Sequence, residues 1–168
     1  MTPQDRDRDQ AGRPRNARPR DALGRPLAHG ATGEAQMPDD LSLAPGEAIA
    51  LAQQLLDSGR PFQAHEVLEA TWKSAPAAER DLWQGLAQIA VGLTHAQRGN
   101  PRGAAALLRR GAGRVGGYLP GADDAGGQYE IDVAGITRAA GELADRIERD
   151  GLDSVTPGDL RLRLRAAG

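Results

Sequence analysis

Residues 82–94 carry apolar side chains nearly all the way round a helix. One side carries Leu82, Leu86, Ile89 and Leu93, and much of the remaining surface carries Trp83, Ala87, Ala90, Val91 and Thr94. A helix that is apolar on every side is stable only when other elements cover it. We therefore expect a central helix here, surrounded by the rest of the folded chain.

Glycine and proline residues mark where the helices are expected to begin and end. Glycine adopts the left-handed conformation that ends many helices, and proline suits the first turn of the next helix. These signals predict five helices: about Pro45 to Ser58, Pro61 to Lys73, Pro76 to Arg98, Pro101 to Tyr118, and a fifth that Asp132 caps and Gly151 ends. Short connections favour antiparallel neighbours. The expected fold class is all-α, a compact bundle of about five helices with a flexible N-terminal arm.

The composition divides the chain into three regions. Residues 1–40 form an Arg- and Pro-rich arm with few large apolar side chains, which we expect to be mostly extended or disordered. Residues 41–151 form the helical domain. Residues 152–168 form a C-terminal tail in which leucine alternates with arginine from position 160 to 165. Because no partner strand is evident, we expect this tail to be irregular.

The chain contains no cysteine, and this excludes several kinds of chemistry. Disulfides, thiolate metal sites, iron–sulfur clusters and thiol nucleophiles all require that residue. No Gly-rich phosphate loop follows a predicted strand, and we expect no cofactor. No apolar run approaches the roughly 18 residues of a membrane span, and the first residues lack the apolar block of a secretory signal. We therefore expect a cytoplasmic protein that does not enter a membrane.

Two polar stripes interrupt the apolar helices. On the second predicted helix, His65, Glu69 and Trp72 share one edge, and Glu66 lies one step round. On the third predicted helix, a second stripe consists of Gln84, Gln88 and His95. A buried amide or imidazole without a partner costs about 1–3 kcal/mol, so the most favourable arrangement has the two stripes facing each other. We expect a hydrogen-bonded cluster of these residues beside the tryptophan.

Arginine accumulates along the fourth predicted helix, and no acidic residue lies between Asp81 and Asp123. Such a stretch is compatible with a nucleic-acid surface. The fifth predicted helix, however, supplies the opposite charge through Glu142, Asp145, Glu148 and Asp150. We therefore expect pairing within the chain and no binding of nucleic acid.

The motif residues together resemble a known family. The sequence of residues 60–72 contains the pattern His-Glu-x-x-Glu-x-x-Trp, and Trp-Gln-Gly-Leu-Ala-Gln follows at residues 83–88. This combination is similar to the domain of unknown function 309 family, over about residues 43–115. The resemblance implies an all-α fold with the same polar residues as its signature, and it implies no particular activity.

Three interpretations of the polar residues remain open. The cluster can be purely structural, holding the two helices in register. It can instead bind a small polar or anionic ligand or another molecule, without catalysis, through His65, Glu66, Glu69, Trp72, Gln84, Gln88 and His95. The alternative is a metal-dependent, hydrolase-like enzyme in which His65, Glu69 and His95 bind the metal, because two histidines and a carboxylate suit zinc or iron.

Overall fold

The computed structural model describes residues 42–118 and 128–166, together with Arg25. Its five α-helices are α1 (Pro45–Asp57), α2 (Pro61–Ser74), α3 (Arg80–Gln97), α4 (Pro101–Gly116) and α5 (Val133–Asp150). Short 3-10 turns precede α3, precede α5 and follow α5. The described residues contain one isolated β-bridge and no β-strand. The predicted all-α bundle of about five helices is therefore confirmed.

The helix ends follow the local signals in the sequence. Proline occupies the first turn of α1, α2 and α4, and Gly59 and Gly99 have φ values of 72° and 79° before α2 and α4. Asn100 and Asp132 cap α4 and α5 by accepting the backbone N–H three residues later. One boundary differs from prediction: the third segment starts as a 3-10 turn at Ala77–Glu79 and becomes α-helical only at Arg80.

Helix α3 lies in the middle of the packing order. It packs against α2 on one side and α4 on the other, while α1 packs against α2 and α5 against α4. The side chains of Trp83, Leu82, Leu86 and Leu93 are at most 1% exposed. The central position predicted for this helix follows from its apolar surface, which needs a neighbour on more than one side.

Glycines allow α3 and α4 to approach each other closely. A Cβ atom added at Gly85 would lie 2.8 Å from Val115 Cγ2 and 2.9 Å from the Val115 amide nitrogen. A Cβ at Gly92 would lie 2.9 Å from Leu108 Cγ, and one at Gly111 would lie 2.7 Å from the Gly85 carbonyl oxygen. No larger residue fits at these three positions without moving a helix.

The C-terminal tail packs against the bundle. It continues from α5 through two 3-10 turns, Leu152–Ser154 and Pro157–Leu160, into an extended segment. Leu162 and Leu164 of that segment are 5% and 2% exposed and belong to the hydrophobic core. The alternating leucines therefore form a face that packs into the core. Among the described residues, a single β-bridge, between Ile131 and Arg165, joins the tail to other backbone.

The predictions made for the arm, residues 1–40, lie outside the described residues except at Arg25. The three-region division of the chain thus stays a prediction. Within residues 42–118 and 128–166, no helix combines the length and the apolar character that crossing a membrane requires.

Candidate functional site

The polar edge of α2 carries a short chain of charged contacts. His65 Nε2 lies 3.2 Å from Glu69 Oε2, and Lys73 Nζ lies 3.6 Å from Glu69 Oε1. Glu69 lies one turn from His65 and one turn from Lys73, as the spacing of four residues predicts. The His65 side chain is 21% exposed, and its ring also contacts Phe62 with 5.7 Å between the ring centroids. Glu66 is half-buried one step round the helix.

Burial controls the charge of His65. It lowers the pKa of the imidazole, and Lys73 lowers it further, while Glu69 and the Phe62 carbonyl act in the opposite direction. The ring donates through Nε2 to the Glu69 carboxylate. Nδ1 is buried, and no hydrogen bond of good geometry reaches it.

The polar edge of α3 holds a second buried acceptor. Gln84 and Gln88 are half-buried, and the Gln88 Oε1 atom is buried without a hydrogen-bond partner. His95, two turns further on, has a different role: its Nδ1 lies 3.1 Å from the Nδ2 of Asn100, the residue that caps α4. Burial and the charge of Arg98 both lower the pKa of His95.

Contacts at both ends set α2 and α3 antiparallel. Gln97 Nε2 donates to the Gly59 carbonyl over 2.9 Å at one end. At the other end, the Arg80 guanidinium lies 5.7 Å from the centre of the Trp72 ring. The middle of α2, near His65 and Glu69, therefore lies beside the middle of α3, near Gln88. The half-buried edge of these two helices, comprising His65, Glu66, Glu69, Trp72, Gln84 and Gln88, is called the α2–α3 face below.

The hydrogen bonds expected between the two stripes do not form. Among the described residues, none joins His65 or Glu69 to Gln84, Gln88 or His95. The partners are found locally instead, because Glu69 is one turn from His65 and Asn100 is five residues from His95. The stripes lie on adjacent helices as predicted, but two of their polar atoms remain unpartnered.

The three residues of the alternative metal site are not brought together. Within the described part of the chain, no group of three or more His, Asp or Glu side chains is arranged to hold a metal ion. His95 contacts the α4 cap, at the far end of α3 from Trp72 and Arg80.

A second buried polar group, formed by Glu79 and Tyr129, was not predicted from the sequence. Glu79 is 6% exposed, and the ring of Tyr129 packs against Trp83 with 5.8 Å between centroids. Burial and a hydrogen bond to the Glu79 carboxylate raise the pKa of Tyr129 to about 12. Tyr129 and Glu130 both have positive φ values, 71° and 61°. The spacing of four between Glu79 and Trp83 was available in the sequence, but the tyrosine comes from a distant segment.

The charged face of α4 is partly neutralised within the chain, as predicted. Arg109 contacts both Asp145 and Glu148 of α5, the first over 2.8 Å. Arg114 instead contacts Asp81 of α3 over 3.1 Å.

Fold and site together define a class: an all-α bundle with a half-buried polar face on two adjacent helices. The family model described as Domain of unknown function (DUF309) matches residues 49–107. This segment, which runs from α1 into α4 and contains all of α2 and α3, is similar to that family, and the resemblance inferred from the motif is confirmed over these residues. No curated protein and no solved structure matches the chain.

Proposed function

We propose that this protein is a non-catalytic binding protein whose α2–α3 face receives a small polar ligand. The observation that carries the proposal is a pair of buried polar atoms without hydrogen-bond partners, His65 Nδ1 and Gln88 Oε1. They lie on adjacent helices, one near the start of α2 and the other in the middle of α3.

The energetic argument favours a ligand over a purely structural role. A buried acceptor without a donor costs about 1–3 kcal/mol, and a cluster that only held the helices in register would be expected to satisfy its own atoms. Natural proteins tolerate such costs mainly where function requires them. A ligand that forms hydrogen bonds with both atoms would recover the cost on binding.

The chemistry of the face indicates the kind of ligand. Gln88 Oε1 is an acceptor, and so is the Glu69 carboxylate, which contacts His65. A matching ligand presents N–H or O–H donors, as an amide, an ammonium or a hydroxyl group does. Trp72 and Phe62 border the face and offer apolar surface to the rest of the molecule.

The hydrolase alternative has no comparable support. His65 has a carboxylate partner, Glu69, but His95 is engaged by Asn100. Metal analysis of the purified protein tests this alternative directly: a stoichiometric metal ion that is lost in the His65→Gln variant would favour the enzyme and count against the proposal.

The binding proposal is tested by nuclear magnetic resonance on the full chain. Acetamide and methylammonium serve as donor probes, and acetate serves as a probe that only accepts. We expect the donor probes to shift the side-chain signals of His65 and Gln88, and acetate to leave them unchanged. The variant Gln88→Leu should lose this response, whereas Gln54→Leu, at an exposed position of α1, should retain it.

Two results would contradict the binding proposal. One is a response to acetate that equals the response to acetamide. The other is a Gln88→Leu variant that binds the donor probes as well as the natural sequence does.

A further inference from the structure

The extended segment 161–165 presents three arginines on one face. Its backbone alternates, so neighbouring side chains point to opposite sides. Leu162 and Leu164 point into the core, where they are 5% and 2% exposed. Arg161, Arg163 and Arg165 consequently lie together on the other side.

This segment is held in place by a side chain of α1. Gln53 Oε1 accepts from the Leu164 amide over 2.7 Å, and Gln53 Nε2 donates to the Leu162 carbonyl over 3.2 Å. The Leu164 carbonyl in turn accepts from the Asp132 amide over 2.9 Å. The backbone that carries the arginines is therefore held by α1 and by Asp132 before any ligand arrives.

The three arginines line a cavity of about 320 Å³, together with Gln53, Asp57 and Ala166. Three positive charges face a single carboxylate, and Asp57 Oδ1 already accepts from Gln53 over 3.0 Å. Arg165 donates to the Gly46 carbonyl through Nη2, and its Nε is buried without a partner. The cavity thus has an excess of hydrogen-bond donors and of positive charge.

Several arginines of α4 and α5, by contrast, are paired with acidic side chains. Arg109, Arg146 and Arg149 each contact at least one carboxylate. In the part of the chain that the structure describes, Arg161 and Arg163 form no ion pair. Their charge is available to a molecule from outside.

We infer that this cavity is a binding site for a small anion that carries a phosphate group. Guanidinium groups bind phosphate oxygens through paired, charge-assisted hydrogen bonds. A phosphate group offers three or more oxygens to several guanidiniums at once, whereas a carboxylate offers two. The volume is at the lower end of the range for small-molecule sites. The site shares no residue with the α2–α3 face and does not depend on the function proposed for that face.

Inorganic pyrophosphate is the probe that tests this site. Calorimetric titration of the full chain should show binding that weakens as salt is added, because the contacts are ionic. The double variant R161Q/R163Q should bind about tenfold more weakly or not at all, since each variant residue removes a charge-assisted contact. A matched double variant, R110Q/R138Q, removes the same charge from exposed positions that do not line this cavity and should bind as the natural sequence does.

Each of three outcomes would overturn the inference. The first is the absence of pyrophosphate binding in the natural sequence. The second is an equal loss in both double variants, which would show a general effect of net charge. The third is tighter binding of a short DNA duplex than of pyrophosphate, with the duplex binding lost in R161Q/R163Q, which would make this a nucleic-acid surface. Circular dichroism of each variant establishes that it is folded.

Discussion

Gln88 is the residue at which stability and the proposed function are expected to conflict most directly. Its Oε1 atom is buried without a partner, so the folded state bears a desolvation cost there. Leucine has a similar size and no polar atom. We expect Gln88→Leu to raise the free energy of unfolding by about 1 kcal/mol, as measured by urea denaturation.

The comparison variant for this prediction is Gln84→Leu, one turn earlier on the same edge. Gln84 has no buried atom that lacks a partner, so we expect a change of less than about 0.5 kcal/mol. A loss of stability in Gln88→Leu would mean that the amide is satisfied in solution, and the argument for a ligand would fail.

His65 makes the stability of the fold depend on pH. Burial lowers the pKa of its imidazole in the folded state, whereas the unfolded chain takes up the proton near the ordinary value of about 6.5. Between these two values the unfolded state binds more protons, so the free energy of unfolding falls as the pH drops below about 6.5. We expect this fall to be smaller in His65→Gln, which cannot be protonated in this range.

A resonance titration measures the same effect without unfolding the protein. The ring proton signal of His65 should have its midpoint below about 6.5. A midpoint at or above that value would show that the contact with Glu69 outweighs burial, and the predicted dependence on pH would reverse.

At the scale of elements, the crossing of α3 and α4 depends on the absence of side chains. A Cβ atom at Gly85 would lie within 3 Å of both the side chain and the backbone of Val115, so the helices must move apart to accept it. Overpacking of this kind costs about 1–3 kcal/mol. We expect Gly85→Ala to lower the free energy of unfolding by an amount in that range.

Gly113 on α4 provides the matched control, because nothing lies within 4 Å of a Cβ atom added there. In an open helical position alanine is favoured over glycine by up to about 1 kcal/mol. Gly113→Ala should therefore stabilise the protein in the same denaturation experiment. If both variants stabilise it, the two helices are not in tight contact at Gly85.

At the scale of the whole molecule, the tail covers part of the core. Ending the chain after Leu160 would remove Leu162 and Leu164, which are almost fully buried, and would leave the Gln53 amide without its backbone partners. Burial of each leucine contributes about 1.5–3 kcal/mol. We expect the truncated protein to lose several kcal/mol of stability and to unfold at a lower temperature. Removal of residues 167–168 alone should have little effect.

Deletion of the N-terminal arm, unlike deletion of the tail, is expected to leave the stability unchanged. Residues 13–20 alternate arginine with proline, which disfavours a helix, and exposed ion pairs contribute less than about 1 kcal/mol each. Deleting residues 1–36 leaves Met37 as the first residue. The midpoint of thermal unfolding should then be unchanged, and a large decrease would show that the arm belongs to the fold.

The contacts that could be predicted from the sequence are those within a single helix or at its end. The spacing of four placed His65 next to Glu69, and Asp132 was recognised as the cap of α5. Hydrogen bonds from His65 or Glu69 to Gln84, Gln88 or His95 were also expected, and none is present among the described residues. Whether side chains on two helices meet depends on rotation and register to within an ångström or two, and hydrophobic spacing does not specify them that finely.

The amino-acid sequence by itself determined the five helices, most of their ends and the central position of α3. These features depend on local conformational preferences and on the periodicity of apolar residues, both of which can be read along the chain. Only the tertiary structure decided where the tail lies, how Tyr129 reaches Glu79 and which polar atoms are left without partners. Gln53 and Leu164 are 111 residues apart, and nothing local to either one specifies the other. Their contact arises because burial of the tail leucines brings a backbone amide to the Gln53 side chain of α1, which accepts from it.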